Sequence, residues 1–145
     1  MMTVRNAESG DIPYIAAIER ESFPDPWTEN GLAEELSQQV IFTCAVDESG
    51  ECCGYLIGSA NGDFASVDKI ACHSAHRRQG IGRKLLEDFF LRAEENGCGS
   101  ASLEVRESNI GAAALYMSVG FKKAGVRRRF YSSPTEDGLV FIKEL

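Results

Sequence analysis

The sequence has none of the covalent or metal staples that small proteins use. Its five cysteines, Cys44, Cys52, Cys53, Cys72 and Cys98, are odd in number, show no C-x-x-C spacing and include an adjacent pair. That pattern suits neither a disulfide framework nor a zinc site, so all five are expected reduced, mostly as small core residues. No apolar run approaches the roughly 20 residues a bilayer crossing needs. Residues 1–11 carry neither a basic n-region nor an apolar h-region, and a cytoplasmic protein with no membrane attachment is expected. Repeats, low-complexity tracts and Pro/Gly/Ser linkers are also missing, which predicts one continuous domain over residues 1–145. No G-x-x-x-x-G-K-[ST] occurs, which argues against ATP-dependent transfer. The Gly80-Ile81-Gly82 pair follows the polar residues 73–79 and meets Leu at position 85, which fits a dinucleotide fold poorly.

What is present reads as a globular domain. Of the residues, 43% are hydrophobic and 26% charged, and a chain of this length buries about two-thirds of its unfolded surface. The net charge is −7, which disfavours extended nucleic-acid binding. The charge is unevenly divided. Residues 1–51 hold 11 acids and 2 bases, whereas residues 52–145 hold 11 acids and 13 bases. Eleven bases fall within residues 69–92 and 122–129, so an acidic protein still offers local sites for an anion.

Periodicity and turn chemistry order the elements. A strand over 3–6 leads to a helix begun by Ser9, Asp11 and Pro13, with Ile12, Ile15, Ala16 and Ile18 as its apolar stripe. A proline-broken loop, 23–27, precedes a helix that Thr28 can cap and that runs through Leu32 and Leu36. Residues 41–47, 53–60 and 66–72 predict strands of an antiparallel meander, parted by Glu48-Ser49-Gly50 and Asn61-Gly62-Asp63. Residues 80–96 carry Ile81, Leu85, Leu86, Phe89 and Ala93 at helical spacing, with Gly97 as the stop. Ala101, Leu103 and Val105 alternate with polar residues as a strand should. A helix over 109–118, ended by Gly120, and strands over 121–129 and 139–145 complete the chain. The order β-α-α-β-β-β-α-β-α-β-β predicts an α+β (α/β) domain with a mixed, largely antiparallel central sheet and helices on both faces.

The sharpest chemical feature is Arg77-Arg78-Gln79-Gly80-Ile81-Gly82-Arg83, between a strand and the long helix. Two glycines let backbone N–H groups approach an anion, the helix N-terminus supplies free donors and positive dipole, and Arg78 and Arg83 add charge; a diphosphate suits that geometry. A tight turn with solvated arginines is the plainer reading. Cys72, His73 and His76 bring three metal-ligating side chains close together without a distant partner, and read as a solvated loop; no metal is expected.

Together, Arg77-x-x-Gly80-x-Gly82, the Ile70-Ala71-Cys72 strand before it and residues 109–121 after it resemble the GNAT N-acetyltransferases over nearly the whole chain. The resemblance implies a single-domain acyl-CoA N-acyltransferase fold with acetyl-CoA as co-substrate. Its diphosphate would lie on the N–H groups of Arg78, Gln79, Gly80, Ile81, Gly82 and Arg83, and its pantetheine arm would pair with Ile70, Ala71 and Cys72 like an added strand. Within that family, Phe23-Pro24-Asp25-Pro26-Trp27-Thr28, Leu103-Glu104-Val105-Arg106-Glu107-Ser108-Asn109, Ala114-Leu115-Tyr116, Gly120-Phe121 and Arg127-Arg128-Arg129-Phe130-Tyr131 are similar to the ribosomal-protein-alanine N-acetyltransferases. That likeness implies Glu104 as general base, Tyr116 as general acid and Asn109 as a cofactor contact. The acceptor it implies is the N-terminal peptide of a basic ribosomal protein, most specifically an N-terminal alanine. The tail departs from the pattern: Phe130 stands where a tyrosine is common, and Asp137-Gly138 where Asp-Ala is usual.

The chemistry independently suits those roles. A free α-amine, with a pKa of about 7.7 to 8.0, must lose a proton before it attacks a thioester, and a leaving thiolate benefits from a proton donor. Backbone N–H groups of the cofactor strand could stabilise an oxyanion. Each residue also has a plain alternative: Glu104 as an outward strand residue, Tyr116 as packing, Asn109 as a helix cap. The 23–27 loop is either a plug over the core or a wall of the substrate groove. Asp25, Glu29, Glu34 and Glu35 beside it either attract a basic tail or form an ordinary solvated face. Direct attack in a ternary complex is expected over a Cys72 acyl-enzyme, since no His and acid are recognisably arranged around that thiol. A sibling enzyme acting on a small amine or lysine, and a non-catalytic acyl-CoA sensor, are the rivals. A monomer or weak dimer is expected.

Overall fold

A computed structural model describes residues 2–76 and 79–145. Thr3–Asn6 forms β1, a 3-10 turn covers Ser9–Asp11, and α1 spans Ile12–Ser22 and α2 Glu29–Leu36. Ile41–Val46, Cys52–Asn61 and Phe64–Cys72 are β2, β3 and β4; a second 3-10 turn at Ser74–His76 leads towards α3, Ile81–Glu95. Then come β5 (Ser100–Arg106), α4 (Ile110–Ser118), β6 (Lys122–Tyr131) and β7 (Glu136–Glu144). The order of elements matches the sequence reading. The last hairpin extends further into polar residues than alternation indicated. β6 is an edge strand, exposed along most of its length, and backbone pairing with β7 needs no apolar face there.

The local reasons are those the sequence offers. Thr28 Oγ1 accepts the Gly31 N–H at 3.1 Å and Asn109 Oδ1 the Ala112 N–H at 3.2 Å, capping α2 and α4. Gly80 takes φ +77° at the N-cap of α3, a left-handed conformation that glycine adopts without Cβ strain. On β1, Arg5 forks onto the buried Asp11 at 2.8 and 3.0 Å, and the Glu8 N–H reaches the same carboxylate at 2.7 Å.

One seven-stranded sheet, in the order β1-β2-β3-β4-β5-β7-β6, carries the molecule. Its face towards α3 and α4 buries Leu56, Val67, Leu103 and Phe141 with Leu85, Leu86, Phe89 and Phe121. Its other face buries Phe42, Cys44, Tyr55 and Ile57 under Ile12, Ile15 and Ile18 of α1 and Leu32 of α2. Covered on both sides, β3 reads as a continuous apolar run. Four of the five cysteines, Cys44, Cys52, Cys53 and Cys98, are buried and Cys72 is half-buried, none in a disulfide.

Two irregularities prepare the site. Between Ile57↔Lys69 and Gly58↔Val67 the β3/β4 register slips, leaving Asp68 as an extra residue in a bulge. β4 and β5, the one parallel pair among the described residues, meet at Phe64↔Ser100, Ala65↔Ala101 and Ser66↔Ser102. Beyond those three pairs each strand continues, to Cys72 and to Arg106, with no pairing between them among the described residues. The sheet opens there into a cleft. No described helix is long and apolar enough to cross a membrane.

Candidate active site

The cleft has two halves that share Ser22, Phe23, Ile70, Asn109 and Tyr116. The half beside the N-terminus of α3 encloses about 670 Å³ and is lined by Ile70, Ala71, Cys72, Gly80, Ile81, Gly82, Arg83 and Asn109. Eight of the residues singled out for the cofactor from sequence therefore converge. Gln79 is exposed and does not line the cavity, and Arg78 lies outside the described residues. Arg83 donates to Ser118 Oγ at 3.0 Å, tying α3 to α4. The first turn of α3 leaves N–H groups without intrahelical acceptors. Beyond Ser66 the edge of β4 away from β3 meets no paired strand among the described residues and presents backbone donors and acceptors. A diphosphate at the helix end and an extended amide chain along β4 fit those groups.

The other half encloses about 510 Å³ between the 23–27 loop, the bulged part of β4, β5 and the start of the β6–β7 connection. Glu104 stands in it. Arg127 Nε lies 3.1 Å from Glu104 Oε1, whereas Glu104 Oε2 is buried with no hydrogen-bond partner. An unsatisfied carboxylate oxygen at the wall of a cleft is a proton acceptor waiting for a donor. Tyr116 sits at the junction of the halves and packs edge-on against Phe121 and Phe141 at 6.1 and 6.3 Å between ring centroids. Burial, reinforced by the neighbouring Tyr131 charge, pushes its phenol up to about 12, so it holds a proton at neutral pH. Tyr131 is raised as well, by burial and then by the Glu104 charge.

Arg106 fastens the adjoining loop. Its guanidinium donates to Pro134 O at 2.9 Å and Ser132 O at 3.0 Å, reaches Glu136 Oε1 at 3.3 Å and lies 4.6 Å from the Tyr131 ring centroid. Glu136 also accepts the Ser108 N–H at 2.6 Å. Hydrogen bonding from the Ser108 side chain first, and then from its N–H and from Arg106, holds the Glu136 carboxyl below the usual range against the opposing effect of burial. Gly138 belongs to this packing: a Cβ there would come within 3.3 Å of both Phe130 and Tyr131.

Sequence reasoning missed a second cluster. Glu19 is fully buried, accepts the Tyr55 hydroxyl and the Trp27 N–H at 2.8 Å, and holds Lys69 Nζ at 3.1 Å on both oxygens. The signal was an acid at position 19 on the apolar stripe of α1 and the Asp68-Lys69 pair in an otherwise uncharged β4. His73 Nδ1 accepts the Ala75 N–H at 3.0 Å, so that ring nitrogen is not placed as a base for Cys72. Among the described residues no group of three or more His, Cys, Asp or Glu side chains is placed to hold a metal.

A sheet opened between parallel strands, with a helix N-terminus at one mouth and a carboxylate and phenol inside, offers the groups that acyl transfer from a CoA thioester to an amine would use. Comparison agrees. The chain belongs to the acetyltransferase (GNAT) family, whose model matches residues 12–121. It is 35% identical over 138 residues to the [ribosomal protein bS18]-alanine N-acetyltransferase of Escherichia coli K12, covering 95% of this chain and 91% of that one. It is 32% identical over 149 residues to N-alpha-acetyltransferase RimI of Mycobacterium tuberculosis, covering 99% and 92%. The crystal structure of the Escherichia coli ribosomal-protein-S18-alanine N-acetyltransferase superposes with a TM-score of 0.88 at 32% identity, covering 99% of this chain and 94% of that chain. The protein is an acetyl-CoA-dependent N-acetyltransferase.

Proposed function

We propose that the protein acetylates the N-terminal α-amine of a ribosomal protein, specifically an N-terminal alanine of the small-subunit protein that its relatives are named for, by direct attack in a ternary complex. The observation that carries the reading is the buried, unpartnered Glu104 Oε2 in the acceptor half of the cleft. It is supported by relatives named for that acceptor.

Acetyl-CoA supplies an acetyl group activated as a thioester. Ile70, Ala71, Cys72, Gly80, Ile81, Gly82 and Arg83 would hold it, with Asn109 at the junction. Glu104 Oε2 accepts the proton that the α-ammonium must lose, directly or through a water. Tyr116 keeps its proton until the sulfur leaves, because burial opposes the phenolate. N–H groups on the open edge of β4 are available to charge developing on the acyl oxygen. Phe23 and Tyr131, which line the acceptor half, give the peptide backbone two aromatic surfaces.

Thiol release from acetyl-CoA decides the matter, measured with short peptides bearing free N-terminal Ala, Ser, Met or Gly, with spermidine and with an N-blocked lysine peptide. Turnover is expected on free N-terminal peptides with alanine preferred, and Glu104→Gln is expected to lower kcat by about 10²- to 10⁴-fold. Turnover confined to spermidine or lysine would remove the acceptor assignment, and cofactor binding without turnover would favour a sensor.

A further inference from the structure

The 23–27 loop contains no helix or strand and two prolines, yet it walls the acceptor half of the cleft through Phe23, Pro24 and Asp25. Glu19 grips both of its ends: the backbone carbonyl takes the Phe23 N–H at 3.0 Å and carboxylate Oε2 the Trp27 N–H at 2.8 Å. Lys69, from the bulged part of β4, binds the same carboxylate, and its ammonium lies 4.3 Å from the Phe23 ring centroid and 4.9 Å from that of Trp27. One cation thus touches both aromatic residues of the loop, Phe23 in the wall and Trp27 at its far end. The geometry points to the Glu19–Lys69 ion pair as a latch that fixes this wall against the acceptor, with Lys69 a positioning residue for acceptor binding.

A buried ion pair is a poor source of stability compared with apolar side chains of the same volume. Its advantage is direction. Tyr55, the Trp27 N–H and Lys69 together fix the carboxylate, and the cation–π contacts carry that fixed geometry into the loop. The latch rests on the acceptor half being where the amine binds, as proposed above. Lys69 lines the acceptor half and not the half at the α3 N-terminus, so its effect is expected chiefly on the acceptor.

Trp27 is the sole tryptophan of the chain, so its fluorescence reads the wall directly. In Lys69→Met, Trp27 emission is expected to shift to the red with stronger acrylamide quenching, and the peptide KM to rise about tenfold while that for acetyl-CoA stays within about twofold. Lys69→Arg, which keeps the cation and its ring contacts, is expected to restore both readouts. Because Lys69→Met strands a buried carboxylate, the pair Glu19→Gln/Lys69→Met serves as the second variant: it removes both charges and keeps an amide for Tyr55 and Trp27. Raised peptide KM and raised Trp27 quenching in this pair support the latch. Wild-type values of both overturn it, as does a KM for acetyl-CoA that rises in step with that for peptide. If the wild-type enzyme turned over no free N-terminal peptide, the acceptor assignment would fall, while Trp27 quenching in the variants would still decide the latch.

Discussion

At the scale of single residues, packing and chemistry often occupy the same side chain. Tyr116 is the clearest case, since its ring completes a cluster with Phe121 and Phe141 while its edge lines both halves of the cleft. Tyr116→Phe retains the ring contacts and removes only the proton donor. Steady-state assay is expected to show kcat lower by about 10²-fold or more, with a thermal midpoint within about 2 °C of wild type. The structure shows the packing reading of Tyr116 and the capping reading of Asn109, and it puts both side chains in the lining of the cleft, where their proposed chemical roles would need them. Glu104 was legible from its motif alone; alternation on β5 said only that it faces away from the core. Glu19 and Lys69 were not legible because their partners are 50 residues apart in sequence, and no local pattern links an acid on a helix stripe to a base on a strand.

At the scale of elements, periodicity was informative wherever one face meets the core. The stripe of α1, the 3.6-residue spacing of α3 and the alternation of β5 all appear as read. The register slip at Asp68 and the separation of β4 from β5 had no local signature, since each arises from competition between whole strands. Gly58 shows how tightly the elements meet beside that slip. A Cβ there would come within 2.5 Å of Ser66 O and 2.7 Å of Phe89 Cε1, so the ring of α3 lies directly on bare backbone. Gly58→Ala is expected to destabilise the fold by about 1–3 kcal/mol in urea unfolding. The cost is steric and should be insensitive to pH.

At the scale of the molecule, the acidic first third puts Asp25 in the wall of the acceptor half and carries Glu29, Glu34 and Glu35 on α2, which follows that loop. If those charges draw in basic peptides, kcat/KM for a peptide with a basic tail falls several-fold between about 0.05 and 0.5 M salt, while a neutral-tailed peptide shows little change. Equal salt dependence for the two would leave this face as ordinary solvated surface. Acid stability has a separate origin. Burial raises the Asp11 carboxyl, but the Arg5 fork, the Glu8 N–H and the Arg5 charge outweigh it and hold it below the usual range. A depressed carboxylate stabilises the fold above its unfolded pKa of about 3.9, and that contribution is lost as pH falls through the lower folded value. Asp11→Asn is therefore expected to cost stability at pH 7 and to flatten the loss below about pH 4, as read by urea midpoints across pH.

The three-pair seam between β4 and β5 has one more consequence. Two half-sheets joined by three residue pairs among the described residues depend on what lies across them, and an extended ligand running along β4, as proposed for acetyl-CoA, would lie along the seam as a missing strand does. Anything that binds only the folded state adds to its stability, by about 2.7 kcal/mol at a hundredfold excess over Kd. With acetyl-CoA bound along β4 as proposed, resistance to unfolding and proteolysis is expected to rise with the concentration of the enzyme's own acetyl donor.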